Sequence, residues 1–109
     1  MYDNEKIFQV YNFPNPFKDK TYFTFHYKES TAINVSINIY TLNGERIYSI
    51  YEPSLLPSND TFYRLNTMWD GKDMNNTIIS NGTYLYELII KNQSDDIIHN
   101  QIYKLTKLN

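Results

Sequence analysis

The chain contains no cysteine among its 109 residues. This absence excludes a disulfide framework, a zinc site built on thiolates and a cysteine nucleophile. It does not identify the compartment, because a cysteine-free domain is compatible with reducing and oxidising surroundings alike. A single domain of residues 1–109 buries about 65% of its unfolded surface, so we expect it to fold without cross-links.

Basic residues are scarce too, with 10 Lys and Arg against 12 Asp and Glu and a net charge of −2. Nucleic-acid binding depends on clustered cations that contact phosphates, so we expect neither DNA nor RNA as a partner. The apolar runs are only a few residues long, and we therefore expect no membrane insertion. Residues 1–6 lack the basic start and apolar centre of a signal peptide.

What the sequence does contain is a repeated alternation of apolar and polar residues with a period of two, which is typical of half-buried strands. Residues 33–41 show the pattern most clearly, and residues 21–28 repeat it with aromatic side chains. The side chains predicted to face the core are Phe23, Phe25, Tyr27, Ile33, Val35, Ile37 and Ile39. On the opposite face of residues 21–28 we expect Tyr22, Thr24 and His26.

Turn-forming residues separate these strands. Residues 42–44, Leu-Asn-Gly, predict a hairpin, and residues 52–60, with two prolines and two serines, predict a loop. Further strands are expected over residues 62–69, 84–91 and 97–108. About seven short strands with such turns predict an all-β fold, an immunoglobulin-like antiparallel β-sandwich.

A proline-rich segment, Phe13-Pro14-Asn15-Pro16-Phe17, follows the first predicted strand at residues 6–12. Proline fixes φ, removes a backbone donor and pushes the preceding residue into an extended conformation. We therefore expect a rigid crossing at the edge of a sheet rather than a central strand, with its aromatic side chains closing one end of the core.

The only tryptophan begins the most distinctive motif, Trp69-Asp70-Gly71-Lys72-Asp73, and Asn81-Gly82 later leads into a strand with alternating tyrosines. Carboxylates around a glycine predict a tight turn, with Trp69 folded over the open end of the sandwich. One tyrosine hydroxyl is expected to tie down a corner loop. The predicted structural motif comprises Pro14, Asn15, Pro16, Trp69, Asp70, Gly71, Asp73, Gly82, Tyr84 and Tyr86.

Candidate catalytic residues are few. His26 and His99 are the two histidines, and each stands in a strand pattern without a neighbouring carboxylate or nucleophile in the sequence. The sequence also lacks paired carboxylates in strand-tip contexts that would suggest glycosidase chemistry. We predict that the chain is not an enzyme and uses no cofactor.

A calcium site is the alternative for the tryptophan turn. Asp70, Asp73 and Asn75 supply oxygen ligands at spacings that suit calcium. The segment lacks the bidentate glutamate that closes an EF-hand loop, and turn capping accounts for all three residues. We predict no metal here, and these three residues are the candidate ligands if one binds.

Five motifs occur in a fixed order along nearly the whole chain. They are Asn12-Phe13-Pro14-Asn15-Pro16-Phe17, Ile39-Tyr40-Thr41-Leu42-Asn43-Gly44, Trp69-Asp70-Gly71-Lys72-Asp73, Asn81-Gly82-Thr83-Tyr84-Leu85-Tyr86 and Lys104-Leu105-Thr106-Lys107-Leu108. In this order the chain resembles the immunoglobulin-like C-terminal domains of type IX secretion, which are similar to the domain of the flagellar hook-capping protein. The proline-rich entry, the tryptophan turn and the ending look most like the C-terminal domain of the sortase. The family commonly has a glycine soon after the tryptophan turn, where this chain has Asn76, so the resemblance implies a left-handed conformation for Asn76.

The resemblance implies a secretion address in Bacteroidota, recognised by the translocon and sortase at the outer membrane. It implies a location in the periplasm, the outer membrane or the cell surface of a Gram-negative bacterium. The residues that it implicates in recognition are Lys104, Leu105, Lys107 and Leu108. We expect a protein partner from that machinery, or an upstream catalytic domain of the same chain, and a monomeric domain in isolation.

Two other functions stay open at this point. The domain could be a permanent structural part of a sortase or another secreted hydrolase. Alternatively, outward tyrosines could stack on sugar rings in a carbohydrate-binding module, although tyrosine is also favoured in strands for packing reasons alone. The tyrosines considered for this role are Tyr22, Tyr40, Tyr48 and Tyr51.

Overall fold

The structure, a computed structural model, describes residues 6–109. Its strands are β1 (Ile7–Phe13), β2 (Tyr22–Tyr27), β3 (Ile33–Tyr40), β4 (Arg46–Leu55), β5 (Phe62–Arg64), β6 (Gly82–Lys91) and β7 (Ile97–Lys107). They form a three-stranded sheet, ordered β1-β2-β5, and a four-stranded sheet, ordered β4-β3-β6-β7. Within residues 6–109, no helix is long and apolar enough to cross a membrane.

Every strand pair in both sheets is antiparallel. Read in immunoglobulin strand letters, the orders are A-B-E and C′-C-F-G, which is the arrangement of an immunoglobulin-like sandwich. The predicted fold class is therefore confirmed. The hairpin predicted at residues 42–44 joins β3 to β4, and Gly44 there has a φ of 89°.

The core lies between the inner faces of the two sheets. The four apolar residues of β3 that were predicted to face inward are all fully buried. Phe23 of β2 meets Tyr86 of the other sheet with ring centroids 5.0 Å apart, and Phe25 stacks on Tyr63 of the neighbouring strand β5 at 5.2 Å. Alternation with a period of two thus identifies the core correctly in β2 and β3.

The predicted loop at residues 52–60 is wrong in its first part, because β4 continues to Leu55. Leu55 pairs with Ile33 and is buried, so the apolar alternation persists past the expected boundary. The strand tolerates Pro53 because β4 lies at the edge of its sheet, where one side of the backbone needs no partner.

The predicted strand at residues 62–69 is also longer than the observed β5, which ends at Arg64. The chain keeps contact with β2 beyond that point, since the Leu65 N–H donates to the Phe23 carbonyl over 3.0 Å. Trp69 then pairs with Thr21. Residues 66–68 bulge away from β2 between these two contacts.

The bulge is held by a buried carboxylate from the other sheet. Glu52 of β4 is 7% exposed. One of its oxygens accepts from the backbone N–H and the side-chain amide of Asn66, over 2.8 and 3.1 Å, and the other accepts from the Thr67 N–H over 2.6 Å. Glu52 therefore links the two sheets across one open side of the sandwich.

Removing this carboxylate tests the link. We expect Glu52→Ala to lower the free energy of unfolding by about 3 kcal/mol, because two backbone donors lose their acceptor in a partly buried position. Urea denaturation at neutral pH measures the loss. Glu45→Ala, which truncates an exposed glutamate, is the matched control and should stay within about 0.5 kcal/mol of the wild type. Equal stability of the two variants would contradict the assignment.

Candidate functional site

Three of the sequence motifs meet at one end of the sandwich. We call this region the terminal corner and define it as residues 15–17, 69–72 and 107–109. These segments are far apart in the sequence, yet Phe17 pairs with Lys107 and packs against Trp69 with ring centroids 5.4 Å apart. The corner is therefore the place where the motifs share one structure.

The proline-rich segment is tied to the last strand by backbone hydrogen bonds. The Phe17 N–H donates to the Thr106 carbonyl and the Leu108 N–H donates to the Phe17 carbonyl, both over 2.9 Å. The Thr106 N–H donates to Asn15 Oδ1 over 3.0 Å. Together these bonds extend the four-stranded sheet by a short parallel pairing at the outer edge of β7.

We expected Phe13 and Phe17 of the proline-rich segment both to close the core, and only Phe17 does so. Phe17 is 1% exposed, whereas Phe13 is 67% exposed. The reason lies in the register, since Phe13 pairs directly with Tyr22, which faces outward. Adjacent residues in a strand alternate faces, so the buried neighbour of Phe13 is Asn12.

Trp69 closes the end of the core as predicted. Its side chain is fully buried, and its Nε1–H donates to the Lys72 carbonyl over 2.9 Å. Its backbone exchanges two hydrogen bonds with Thr21. Through these bonds Trp69 holds the turn at residues 70–72 against Thr21, next to the start of β2.

Gly71 lets Lys107 pass close to this turn. Its φ is 76°, and a Cβ at this position would lie 3.1 Å from Lys107 Cε and 3.2 Å from Phe17 Cε2. Lys107 is only 1% exposed, and its ammonium donates to Asn109 Oδ1 over 2.9 Å. The ammonium nitrogen lies 5.9 Å from the centroid of the Phe17 ring. The glycine is required both for its conformation and for the space it leaves.

The two aspartates of the turn accept backbone N–H groups. Asp70 Oδ1 accepts from Lys72 over 3.2 Å, and Asp73 Oδ1 accepts from Asn75 and Thr77 over 2.9 and 3.0 Å. One carboxylate oxygen of Asp70 and one of Asp73 thus act as turn acceptors, and Asn75 takes part through its backbone N–H. Within residues 6–109, no group of three or more His, Cys, Asp or Glu side chains could hold a metal ion.

The second glycine motif forms the predicted tyrosine corner. The Tyr84 hydroxyl donates to the Ser80 carbonyl over 2.7 Å, at the start of β6. Gly82 begins this strand, and Tyr86 is buried further along it. Asn76 has a φ of 65°, which confirms the left-handed conformation expected there.

The four residues implicated in recognition divide between the core and the surface. Leu105 and Lys107 are buried, while Lys104 is exposed and Leu108 is 49% exposed. The pattern was legible in the sequence, because Leu105 and Lys107 lie two residues apart and must share a face. Lys107 therefore does not offer its charge to a partner from the surface, and a recognition role for this set stays a prediction.

An open cleft of about 310 Å³ lies beside the corner. Acidic and basic side chains both line it, and an ion pair of 4.0 Å joins Lys72 to Asp70 on its wall. The cleft is lined by Lys18, Asp19, Asp70, Lys72, Ile78, Lys107 and Asn109. With both signs of charge present, its surface suits a polar protein contact better than a small anion.

The two histidines lie apart from the corner and from each other. His26 Nδ1 is 2.8 Å from Thr61 Oγ1 on the outer face of the three-stranded sheet. His99 is 6% exposed on the inner face of β7, with its Nε2 2.7 Å from the Tyr103 hydroxyl. Burial lowers the pKa of His99.

The four tyrosines considered for sugar stacking do not form one row. Tyr22 belongs to the three-stranded sheet, whereas the other three belong to the four-stranded sheet. Tyr48 packs toward the core, with its ring centroid 6.2 Å from that of Trp69. Tyr40 donates to Glu87 Oε1 over 3.2 Å, and burial together with this carboxylate raises its pKa. Only Tyr51 stands free, at 62% exposure.

The fold and the corner define a small, cysteine-free immunoglobulin-like domain. No family model matches the chain, and no curated protein matches it. Among solved structures, dimeric latent PorU from Porphyromonas gingivalis superimposes on 91% of this chain with a TM-score of 0.71 and 22% identity. The chain spans 9% of the length of PorU.

Two further solved structures share the sandwich at lower similarity. The soluble domain of PmoD from a Methylocystis species matches 99% of this chain over 95% of the PmoD chain, with a TM-score of 0.56 and 9% identity. The alkylpurine DNA glycosylase AlkC from Pseudomonas fluorescens, bound to DNA containing an abasic-site analogue, matches 95% of this chain over 30% of its own. Its TM-score is 0.52 and its identity 9%. At such identities these likenesses show a common fold and nothing finer.

The crowding at Gly71 can be measured against a second glycine. Gly44 also has a positive φ, but a Cβ there would meet no atom within 4 Å. We expect Gly44→Ala to cost about 1 kcal/mol of stability from backbone strain, and Gly71→Ala to cost about 1 to 3 kcal/mol more because Lys107 and Phe17 must shift. Denaturant unfolding of both variants gives the comparison. Equal losses would show that the corner is not tightly packed.

The buried His99 predicts a pH dependence of stability. Its pKa is lowered on folding, so its contribution is complete above the unfolded value of about 6.5 and declines as the pH falls toward the folded pKa. In that window the wild type should lose up to about 1.4 kcal/mol per pH unit more than His99→Phe, the slope for one proton. Thermal and urea unfolding between pH 8 and pH 5 measure the difference. Parallel curves for both proteins would contradict it.

Proposed function

We propose that this domain is a non-catalytic module of the type IX secretion route, recognised by the translocon or sortase at the outer membrane through its terminal corner. The observation that carries the proposal is the convergence of the proline-rich segment, the tryptophan turn and the chain's last residues on one structure. The fold-level likeness to a part of PorU, a type IX sortase, supports the same assignment. The implied location is the periplasm, outer membrane or surface of a Gram-negative bacterium.

Recognition through the corner has to use the groups that remain on its surface. Leu108 is exposed in the corner and Lys104 is exposed on β7 just before it, and the cleft beside the corner is lined by charged side chains of both signs. The outward backbone groups of Thr106 and Leu108 are already bonded to the proline-rich segment. We therefore favour a partner that reads side chains and the cleft over one that adds a strand to this end of β7.

A permanent structural domain of a larger secreted protein is the second candidate function. The integration of the terminal residues into the core favours it, because Leu105 and Lys107 cannot be withdrawn without opening the sandwich. In PorU the region similar to this chain is likewise a small part of a larger protein, since it makes up 9% of that chain. Such a domain would act through packing against its neighbours.

Export of a fused reporter tests the proposal. We expect the whole chain, joined to the C-terminus of a periplasmic reporter, to direct that reporter to the surface of a type IX host. Lys104→Ala combined with Leu108→Ala should reduce export about tenfold without loss of folding, which corresponds to about 1.4 kcal/mol of recognition energy. Surface substitutions are preferable to truncation, because removing residues 104–109 would take Leu105 out of the core.

The matched control is Lys91→Ala combined with Ile97→Ala. These residues also comprise one lysine and one exposed aliphatic side chain, and they pair with each other at the opposite end of β6 and β7. Wild-type export of the control with reduced export of the corner variant supports the proposal. Wild-type export of both variants overturns it, and a reporter that reaches the surface with the domain still attached favours the structural function.

A further inference from the structure

The outer face of the three-stranded sheet is unusually rich in aromatic side chains. Cross-strand pairs fix its membership, because Phe8 and Phe62 both pair with His26, and Phe13 pairs with Tyr22. Each of these residues alternates with a core residue on its strand and so faces away from the core. We call this surface the aromatic face: Phe8, Tyr11, Phe13, Tyr22, His26, Phe62 and Arg64.

The aromatic face is only partly covered by the chain itself. Phe13 is 67% exposed and Tyr11 48%, while Phe8, Tyr22 and Phe62 are half-buried. Contiguous exposed aromatic side chains on a small domain indicate a contact surface for another molecule.

The outer face of the four-stranded sheet differs in character. There the Asn38 amide and the Tyr40 hydroxyl donate to Glu87 Oε1 over 3.1 and 3.2 Å, and the Ser49 hydroxyl donates to Asn38 Oδ1 over 2.9 Å. These polar side chains are paired with one another, and the exposed Tyr51 and Ile102 stand on the same face. The three-stranded sheet differs in presenting contiguous aromatic side chains beside an arginine, and this difference favours it as the docking side.

Two rings of the aromatic face, those of His26 and Tyr22, are covered by neighbouring groups and are not free to stack on a sugar. His26 lies between Phe8 and Phe62, with centroid distances of 5.1 and 5.3 Å. Tyr22 is covered by the Arg64 guanidinium, whose carbon is 5.0 Å from the ring centroid. Stacking on a pyranose needs a free ring face, and these contacts occupy the faces of His26 and Tyr22. Aromatic edges with an arginine among them are instead typical of protein interfaces.

Arg64 determines the charge that a partner must bring. Its side chain is exposed, and within residues 6–109 no carboxylate lies within the 4.0 Å of an ion pair with it. The guanidinium presents five N–H donors in a plane and binds carboxylates in pairs of bonds. Stacking on Tyr22 holds this group in place on the face and leaves its donors available.

We propose that the aromatic face docks a protein surface on which apolar side chains surround a carboxylate, with that carboxylate bound by Arg64. A second copy of this chain fits less well, because its own aromatic face carries another Arg64 and no acidic residue, so a symmetric contact would bring together like charges. The proposal does not depend on a role in secretion, since it concerns the opposite sheet from the one that carries β7.

A ligand that combines the two required features tests the proposal directly. In a titration of the whole chain with 3-phenylpropionate, followed by 1H–15N NMR, we expect saturable shifts at the Arg64 Nε–H and at the amides of Phe8, Phe13 and Phe62. 2-Phenylethanol, which lacks the carboxylate, should bind about three- to fivefold more weakly, as expected for the loss of one exposed ion pair. Cellotetraose should cause no saturable shift.

Variants distinguish binding at the aromatic face from nonspecific binding of the ligands elsewhere on the domain. Arg64→Gln should reduce the affinity for 3-phenylpropionate to that for 2-phenylethanol, and Phe13→Ser should weaken both ligands. Tyr51→Ser, which removes an exposed tyrosine from the other sheet, is the matched control and should bind as the wild type does.

Three results would overturn the proposal. These are equal binding of the acid and the alcohol, binding of cellotetraose at the aromatic face, and a concentration-dependent dimer in sedimentation that Phe13→Ser abolishes. The last would make a second copy the occupant. None of these outcomes bears on reporter export through the terminal corner, so the two proposals fail or stand separately.

Discussion

The pairing of Phe17 with the end of β7 is the contact on which the terminal corner depends. Its backbone bonds bring the proline-rich segment to the last strand, and its ring lies between Trp69 and the Lys107 ammonium. Gly71 can approach only because it has no side chain to collide with this pair. Three distant pieces of the sequence are thereby held in one arrangement, which explains why the motifs occur together in a chain of this size.

Much of this architecture can be predicted from the sequence, because a period of two fixes which face of a strand is buried. The inward residues of β2 and β3 and the tyrosine corner at Tyr84 follow from local chemistry, and the left-handed Asn76 follows from the glycine of the resembling family. The extent of β4 does not, since proline and serine suggest a loop wherever they occur. An edge strand accepts them, and which strand lies at an edge is a property of the complete sheet.

The burial of charged side chains is the other part that local reasoning misses. Glu52 and Lys107 both occupy inward positions in their strands, and each would have been found by extending the alternation past a polar residue. Charged side chains are usually exposed. A glutamate or lysine at an inward position therefore makes the apolar alternation look as if it ends there, although the strand continues. Their neighbours resolve the conflict: Asn66 and Thr67 supply donors to Glu52, and Asn109 accepts from Lys107.

The composition of β4 has a consequence for how this domain behaves among copies of itself. A sheet edge is a template for intermolecular strand pairing, and natural proteins interrupt such edges with proline and with charges that point inward. β4 places both devices side by side, in Glu52 and Pro53. A second chain that paired with this edge would lack the backbone N–H that Pro53 does not have. It would also meet the Glu52 carboxylate, which is already bonded to Asn66 and Thr67. Glu52, which links the two sheets, and Pro53 beside it therefore also disfavour fibrous self-association at this edge.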